Sequence, residues 1–214
     1  MRGELIPLFP LQVVLLPRAP LPLHIVEERY KEMMQEVIAA EGEFGVVLSR
    51  EEGILNTGCT ATIERILRQF EDGRMDLLAV GQRRFKVLAL DMERSFLRGQ
   101  IEELEDDDFG PVPPQKVREA IALRQEYARS IETETEAPDP DEPELSFVLG
   151  AISPDLEFRQ LLLGTRSEAR RIELVAGNLA RLIKQHTIQE AMRRAKPFTV
   201  ARSSAPISLP ASFT

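Results

Sequence analysis

The chain has 214 residues, of which 43% are hydrophobic and 29% charged, and its formal net charge is −8. This length allows one large domain or two small ones, and the composition is that of a soluble globular protein. The acidic balance argues against nucleic acid as the main partner, because such binding relies on neutralising phosphates with a basic surface.

The first apolar stretch of the chain, residues 6–30, is interrupted by Arg18, His24 and five prolines. These interruptions exclude a membrane-spanning helix at this position. The stretch also lacks the small-residue cleavage site of a secretory signal. Residues 5–26 are therefore predicted to form short buried strands separated by proline-fixed bends.

The sequence period changes after these strands, and a helix is predicted over 27–40 because apolar residues recur there at helical spacing. A short apolar strand is predicted at 43–49. Cys59, Ala61 and Ile63 alternate with polar residues, which indicates another strand. Asp72 and Gly73 predict a hairpin turn over 71–74, since this pair favours the positive φ angles of such turns.

Three more strands are predicted after this turn: one from Met75 to Gly81, one at 83–90 and one at 96–104. About six strands with one inserted helix are typical of a small closed or nearly closed β-barrel.

The composition changes at Glu102, since residues 102–144 contain fifteen Asp or Glu and only four Lys or Arg. The acidic and proline-rich segment 105–114 is predicted to be a solvated hinge. It lacks the spaced ligands and the glycine of a calcium-binding loop. Residues 132–144 are predicted to be a solvated loop, because they cannot pack into a core.

Four helices are predicted in the second half of the chain, at 115–133, 145–152, 155–164 and from about Thr165 to Ala195. Thr165 and Glu168 have the spacing of a capping box, in which the Glu168 carboxylate accepts from the Thr165 amide. The predicted fold is therefore α+β, with a β-barrel domain over 1–110, an α-helical bundle over 111–196 and a flexible tail over 197–214.

The sequence offers no centre for catalysis. It contains no phosphate-binding glycine loop, dinucleotide-binding motif or nucleophile elbow. His24 and His186 lie in different predicted domains and lack metal-ligand spacing. Cys59 is predicted to be a core residue, and as the only cysteine it indicates a reducing compartment, the cytoplasm. We predict no catalytic residue, no metal site and no cofactor.

Several segments occur in the order and spacing of the N-terminal domain of Lon protease, namely IPLFPLQVVLLPRAPLPLHIVEERYKEMM, FGVV, GCTATI, DGRMDLLAVGQRRFKV and RGQIEEL. From about residue 3 to 195 the chain resembles the stand-alone Lon substrate-binding domain proteins. It departs from them at Arg18, where a glycine is common, and at Val26, where phenylalanine is common.

The resemblance implies a PUA-like β-barrel followed by an α-helical bundle. It also implies binding of unfolded or damaged polypeptides, without the ATPase and protease modules that complete Lon proteases carry after this domain. It supplies no defined set of binding residues.

Candidate peptide-binding residues come instead from the motifs E-x-R-Y and G-x-x-R-F and from the first strand. Four of them, Arg29, Tyr30, Arg83 and Arg84, are predicted to line the rim of a groove. Its apolar floor would be formed by Leu8, Phe9 and Leu11, and an extended polypeptide would lie along it. The alternatives are burial of the apolar residues in the core and ion pairing of the arginines within the fold.

The leading functional hypothesis is a non-enzymatic polypeptide-binding module. One alternative is a regulatory or scaffold partner of a separate ATP-dependent protease or ATPase. Another is RNA binding through the PUA-like barrel, which the adjacent Arg83 and Arg84 favour and the acidic net charge disfavours.

Overall fold

The computed structural model of the protein describes residues 4–107 and 110–195. The predicted tail over 197–214 lies outside these residues. The described chain contains six strands, β1 (Glu4–Leu11), β2 (Pro20–Ile25), β3 (Phe44–Arg50), β4 (Gly53–Gln69), β5 (Met75–Asp91) and β6 (Arg98–Glu103). It also contains five helices, α1 (Glu28–Ala39), α2 (Pro114–Ser130), α3 (Leu145–Gly150), α4 (Leu156–Gly164) and α5 (Glu168–Arg194).

The six strands form one mixed sheet in the order β2-β5-β4-β3-β1-β6, and β5 also pairs with β6. The pairings of β1, β3, β4, β5 and β6 therefore form a cycle, as in a barrel, while β2 lies outside this cycle along the first half of β5. The helix α1 is inserted between β2 and β3, and the other helices follow β6. The predicted α+β order of a β region and then helices is confirmed.

The strands predicted at 75–81 and 83–90 are one continuous strand, β5. The sequence-based separation was wrong because Gly81 does not form a turn there. Its backbone lies against the preceding chain, and a Cβ atom at this position would lie 2.2 Å from the Leu16 carbonyl oxygen. Gly81 N–H also donates to the Ala19 carbonyl at 3.0 Å. The glycine thus permits a close backbone approach within a strand.

Two prolines on β2 explain part of the proline-rich stretch. Pro20 and Pro22 alternate along a strand that pairs with β5 over all six of its residues. Alternate residues of a strand direct their backbone groups to the same side, so the N–H groups that these prolines lack belong to the outer edge of β2. This edge is thereby blunted against pairing with another chain.

The sheet and the helices share one hydrophobic core. Residues from the strand region, such as Met34, Phe44 and Leu77, belong to the same buried cluster as Phe147 and Val175 from the helices. A second, smaller cluster fills the barrel-like part of the sheet and consists of Ile6, Leu8, Val47, Phe85 and Ile101. The predicted division at residue 110 remains a prediction.

Candidate functional site

The predicted rim residues Arg29 and Tyr30 lie beside the predicted floor residue Phe9. The rings of Phe9 and Tyr30 are in contact, with centroids 4.3 Å apart. The Arg29 guanidinium lies 4.7 Å from the centre of the Tyr30 ring and pairs with Glu27 at 2.7 Å. The end of β1 and the beginning of α1 therefore meet at an aromatic contact covered by a cation.

The apolar groups at this corner are partly exposed. Leu11 is on the same side of β1 as Phe9 and is only partly buried. Val26, which precedes α1, is 48% exposed. We call Leu11, Val26, Arg29 and Tyr30 the Tyr30 surface. Partial burial is also the main reason that the pKa of the Tyr30 hydroxyl is raised.

Three of the other predicted site residues lie away from the Tyr30 surface. Leu8 is fully buried in the smaller core cluster, although Phe9 beside it faces the larger one. Arg83 forms ion pairs with Glu43 at 3.0 Å and Glu103 at 3.5 Å. Arg84 is buried, with 4% of its side chain exposed. The structure therefore brings together Phe9, Arg29 and Tyr30, with Leu11 on the same side of β1 as Phe9, but not the whole predicted set.

Arg84 belongs to a buried charge cluster between the sheet and the helices, in which Asp106 accepts hydrogen bonds from both Arg84 and Arg171. The Arg84 Nη2–Asp106 Oδ1 distance is 2.6 Å, and the Arg171 Nη2–Asp106 Oδ2 distance is 2.7 Å. Both arginines also donate to the Thr165 carbonyl, at 2.9 and 2.7 Å. Both guanidiniums lie over the Phe147 ring, at 5.3 and 4.6 Å from its centre.

This cluster corrects the interpretation of residues 105–114 as a wholly solvated hinge, because Asp106 is only 15% exposed and holds two arginines. Partial burial raises the pKa of Asp106, but the hydrogen bonds and charges of Arg171 and Arg84 outweigh it. The pKa of this carboxyl is therefore held below its usual range.

The predicted capping box is also corrected. Ser167, and not Thr165, caps α5, and its hydroxyl accepts from the Arg170 amide at 3.3 Å. The Glu168 carboxylate instead accepts from the Ser146 amide at 2.9 Å and from Arg171 at 2.7 Å. Sequence reasoning missed this role because Ser146 lies 22 residues upstream.

A cavity of about 430 Å³ lies next to this cluster, between α2, α5 and the loop before α3. Its apolar wall includes Val117, Leu145 and Ile172, and carboxylates such as Glu144 line its mouth. Partial desolvation is the main reason that the pKa of Glu144, which is still exposed in part, is raised. No sequence motif marked this cavity, because its lining comes from distant parts of the chain.

The residues considered for catalysis or metal binding are separate in space. His24 Nδ1 lies 2.5 Å from Asp76 Oδ1 in the sheet, whereas His186 is on α5. Cys59 is fully buried, and this burial raises the pKa of its thiol. Among residues 4–107 and 110–195, no group of three or more His, Cys, Asp or Glu side chains is placed to hold a metal ion.

In the part of the chain that the structure describes, no helix combines the length and the apolar character that crossing a membrane requires.

Comparison with known structures supports the resemblance inferred from the sequence. A crystal structure of a Lon N-terminal domain protein from Xanthomonas campestris superposes with a TM-score of 0.66 at 25% identity, covering 81% of this chain and 98% of that one. The N-terminal domain of Mycobacterium avium complex Lon protease shares the fold, with a TM-score of 0.57 at 15% identity and coverage of 83% and 98%.

Among curated proteins, the Lon protease of Parabacteroides distasonis is 31% identical over 113 residues, which cover 49% of this chain and 14% of that protein. The chain thus spans a small part of the length of this relative. The family model of the ATP-dependent protease La (LON) substrate-binding domain matches residues 5–181. The predicted resemblance is confirmed, and the chain belongs to the family of Lon substrate-binding domains.

Proposed function

We propose that the protein is a non-enzymatic polypeptide-binding module that recognises unfolded or damaged protein segments at the Tyr30 surface. The observation that carries this proposal is the match to a substrate-binding domain over residues 5–181. The Tyr30 surface is the most suitable part of the predicted site, because it combines an aromatic ring, aliphatic side chains and a guanidinium. Tyrosine and arginine are enriched among the residues that dominate the binding energy of protein interfaces.

The chemistry of this surface fits an unfolded ligand. Apolar side chains that a folded protein would bury are exposed in an unfolded one, and Leu11, Val26 and Tyr30 offer partly exposed apolar area to receive them. Arg29 lies over the Tyr30 ring, where it can also donate hydrogen bonds to backbone carbonyls of a bound segment.

The proposal is tested with a fluorescently labelled, chemically unfolded protein and a pair of variants. Val26→Asp places a charge on the Tyr30 surface, and we expect it to weaken binding about tenfold, the loss typical of one important interface residue. Leu161→Asp is the matched control, because Leu161 is 54% exposed on α4, on another part of the molecule. Equal affinities of both variants and the unmodified chain would place binding elsewhere.

A second candidate is a partner that delivers polypeptides to a separate ATP-dependent protease. It is favoured by the similarity to a Lon protease of which this region is only 14%. RNA binding is disfavoured, because Arg83 is paired with two carboxylates and Arg84 is buried, so the two do not form a basic patch.

A further inference from the structure

The second half of β4, residues 62–69, has a strand partner on one side only. It pairs with β5 from Thr62–Val80 to Gln69–Met75, whereas β3 pairs with β4 only as far as Ala61. No other strand of the described residues lies against this edge. An unpaired edge presents backbone N–H and C=O groups with which another extended chain can pair.

The second half of β4, the first half of β5 and β2 form a three-stranded ribbon. Its two edges, on β4 and on β2, differ. The opposite edge is β2, whose outer side is blunted by Pro20 and Pro22. Residues 62–69 contain no proline. The ribbon therefore has one edge that is closed to strand pairing and one that is open to it.

A groove lined by aliphatic and charged residues runs beside the open edge. A cavity of about 280 Å³ lies between this part of β4 and the C-terminal end of α1, with Val37, Ile38, Ile63 and Ile66 among its lining residues. Ile38 is 36% exposed and Ile66 is 42% exposed. A strand added at the edge would direct alternate side chains into this groove.

Two arginines make this edge basic, and one of them, Arg65, also lines the groove. Arg65 and Arg68 lie across from Leu78 and Asp76 of β5, and both are exposed. Neither forms an ion pair within the described residues, and Asp76 is already bonded to His24 at 2.5 Å. Opposite charges on neighbouring strands stabilise their pairing, so this edge favours carboxylates on an incoming strand.

We propose that this edge and groove bind, by β-strand addition, an extended polypeptide segment in which apolar residues alternate with Asp or Glu. The apolar side chains enter the groove beside Ile38 and Ile66, and the carboxylates meet Arg65 and Arg68. Glu41 and Glu64 also line the groove and disfavour carboxylates at the inward positions.

The geometry of β4 limits the length of this pairing. Its register with β5 shifts between Ile63 and Arg65 and again between Ile66 and Arg68. Such bulges bend a strand and increase its twist. The bound segment therefore pairs over short runs, and the side-chain contacts supply much of its affinity.

This site extends the proposed function to a defined class of segment, but it is separate from the Tyr30 surface. Ile38 lies eight residues after Tyr30 on α1, which corresponds to about 12 Å along the helix axis. Variants of one surface are therefore expected to leave binding at the other unchanged.

The first test uses the unmodified full chain and an eight-residue peptide in which valine alternates with glutamate. Two derivatives carry N-methyl groups on all valines or on all glutamates, which removes the N–H groups of one edge of the peptide or the other. We expect one derivative to lose binding and the other to retain it, because only one edge pairs with β4. Equal affinities of the two derivatives would overturn strand addition.

A peptide with the same residues in two blocks is the control for composition, since it cannot place its apolar side chains on one face. We expect it to bind much more weakly than the alternating peptide. Equal binding would overturn the requirement for alternation.

The second test reverses the charge of the edge. We expect Arg65→Glu/Arg68→Glu to weaken binding of the alternating peptide about tenfold, and to favour a peptide with lysine in place of glutamate. The control Arg118→Glu/Lys184→Glu changes the net charge equally at two exposed positions on helices. Equal losses in both double variants would show a general charge effect and overturn the assignment.

Two further measurements are needed. One distinguishes this site from the Tyr30 surface, and the other distinguishes a bound peptide from a second copy of the chain. Val26→Asp is expected to bind the alternating peptide normally while it binds unfolded protein weakly; loss of both would overturn the separation of the two sites. Sedimentation that reveals a dimer disrupted by Arg65→Glu/Arg68→Glu would assign the edge to a second copy of the chain, and not to a peptide.

Discussion

At the scale of single residues, Asp106 joins the sheet to the helices through two buried arginines. It is the carboxylate shared by Arg84 from the sheet and Arg171 from α5, both of which are almost fully buried. A buried guanidinium is tolerated only when it is paired, and Asp106 pairs with both arginines while Glu168 adds a second carboxylate for Arg171. The Phe147 ring, which both guanidiniums cover, completes this contact between the sheet and the helices.

We therefore expect Asp106→Asn to lower the free energy of unfolding by about 3–5 kcal/mol, since it removes the carboxylate partner of the buried Arg84 and leaves the buried Arg171 paired with Glu168 alone. The matched control is Asp107→Asn, because Asp107 is exposed and lies 3.5 Å from an exposed Arg166. The control is expected to cost less than about 1 kcal/mol. Urea denaturation measures both, and equal losses would contradict the role given to Asp106.

The lowered pKa of Asp106 also predicts a pH dependence. A carboxyl whose pKa is lower in the folded state stabilises the fold fully above its unfolded pKa of about 3.9 and loses this contribution as the pH falls through the folded value. Acid titration of stability should thus be steeper below pH 4 in the unmodified chain than in Asp106→Asn. Parallel titration curves would contradict the prediction.

At the scale of secondary-structure elements, the sequence predicted those helices and turns that depend on residues close together in the chain. The helix predicted over 27–40 is α1, and the Asp72–Gly73 turn joins β4 to β5. Contacts that join distant residues were not predictable. Glu168 fits a capping box locally, but Ser146 and Arg171 hold its carboxylate, and Arg84 finds Asp106 only when the sheet and helices meet.

Contacts between distant residues also limited the prediction of the candidate site. The helical pattern placed Arg29 and Tyr30 at the beginning of α1. The prediction that Leu8 and Phe9 share one groove floor ignored strand alternation, which directs these neighbours to opposite sides of β1. The sequence could not distinguish the exposed Arg29 from the buried Arg84, because burial of an arginine depends on partners supplied by other elements.

The blunted edge of β2 gives a prediction at this scale. Pro22→Val restores an N–H group on the outer edge and favours pairing with a second chain. We expect this variant to self-associate as its concentration rises, measured by sedimentation velocity. Pro140→Ala, in the loop before α3, is the control and should behave like the unmodified chain. A Pro22→Val variant that stays as monodisperse as this control would contradict the role of the prolines.

At the scale of the whole molecule, the sheet and the helices share one buried cluster. Elements that depend on a common core are expected to unfold together. We predict a single thermal transition in a Tyr127→Phe variant, the same for the fluorescence of Tyr30, which reports on its contact with Phe9 of β1, and for the circular dichroism of the helices. Two separate transitions would instead support independent stability of the segments before and after residue 110.

The central claim about the whole molecule is that it distinguishes unfolded from folded polypeptides. The most direct measurement uses one small disulfide-containing protein in two forms, folded with its disulfides intact and unfolded after reduction and alkylation. Fluorescence anisotropy with the full chain should detect binding of the unfolded form and little or none of the folded form. Equal affinity for both forms, or binding of neither, would contradict the account.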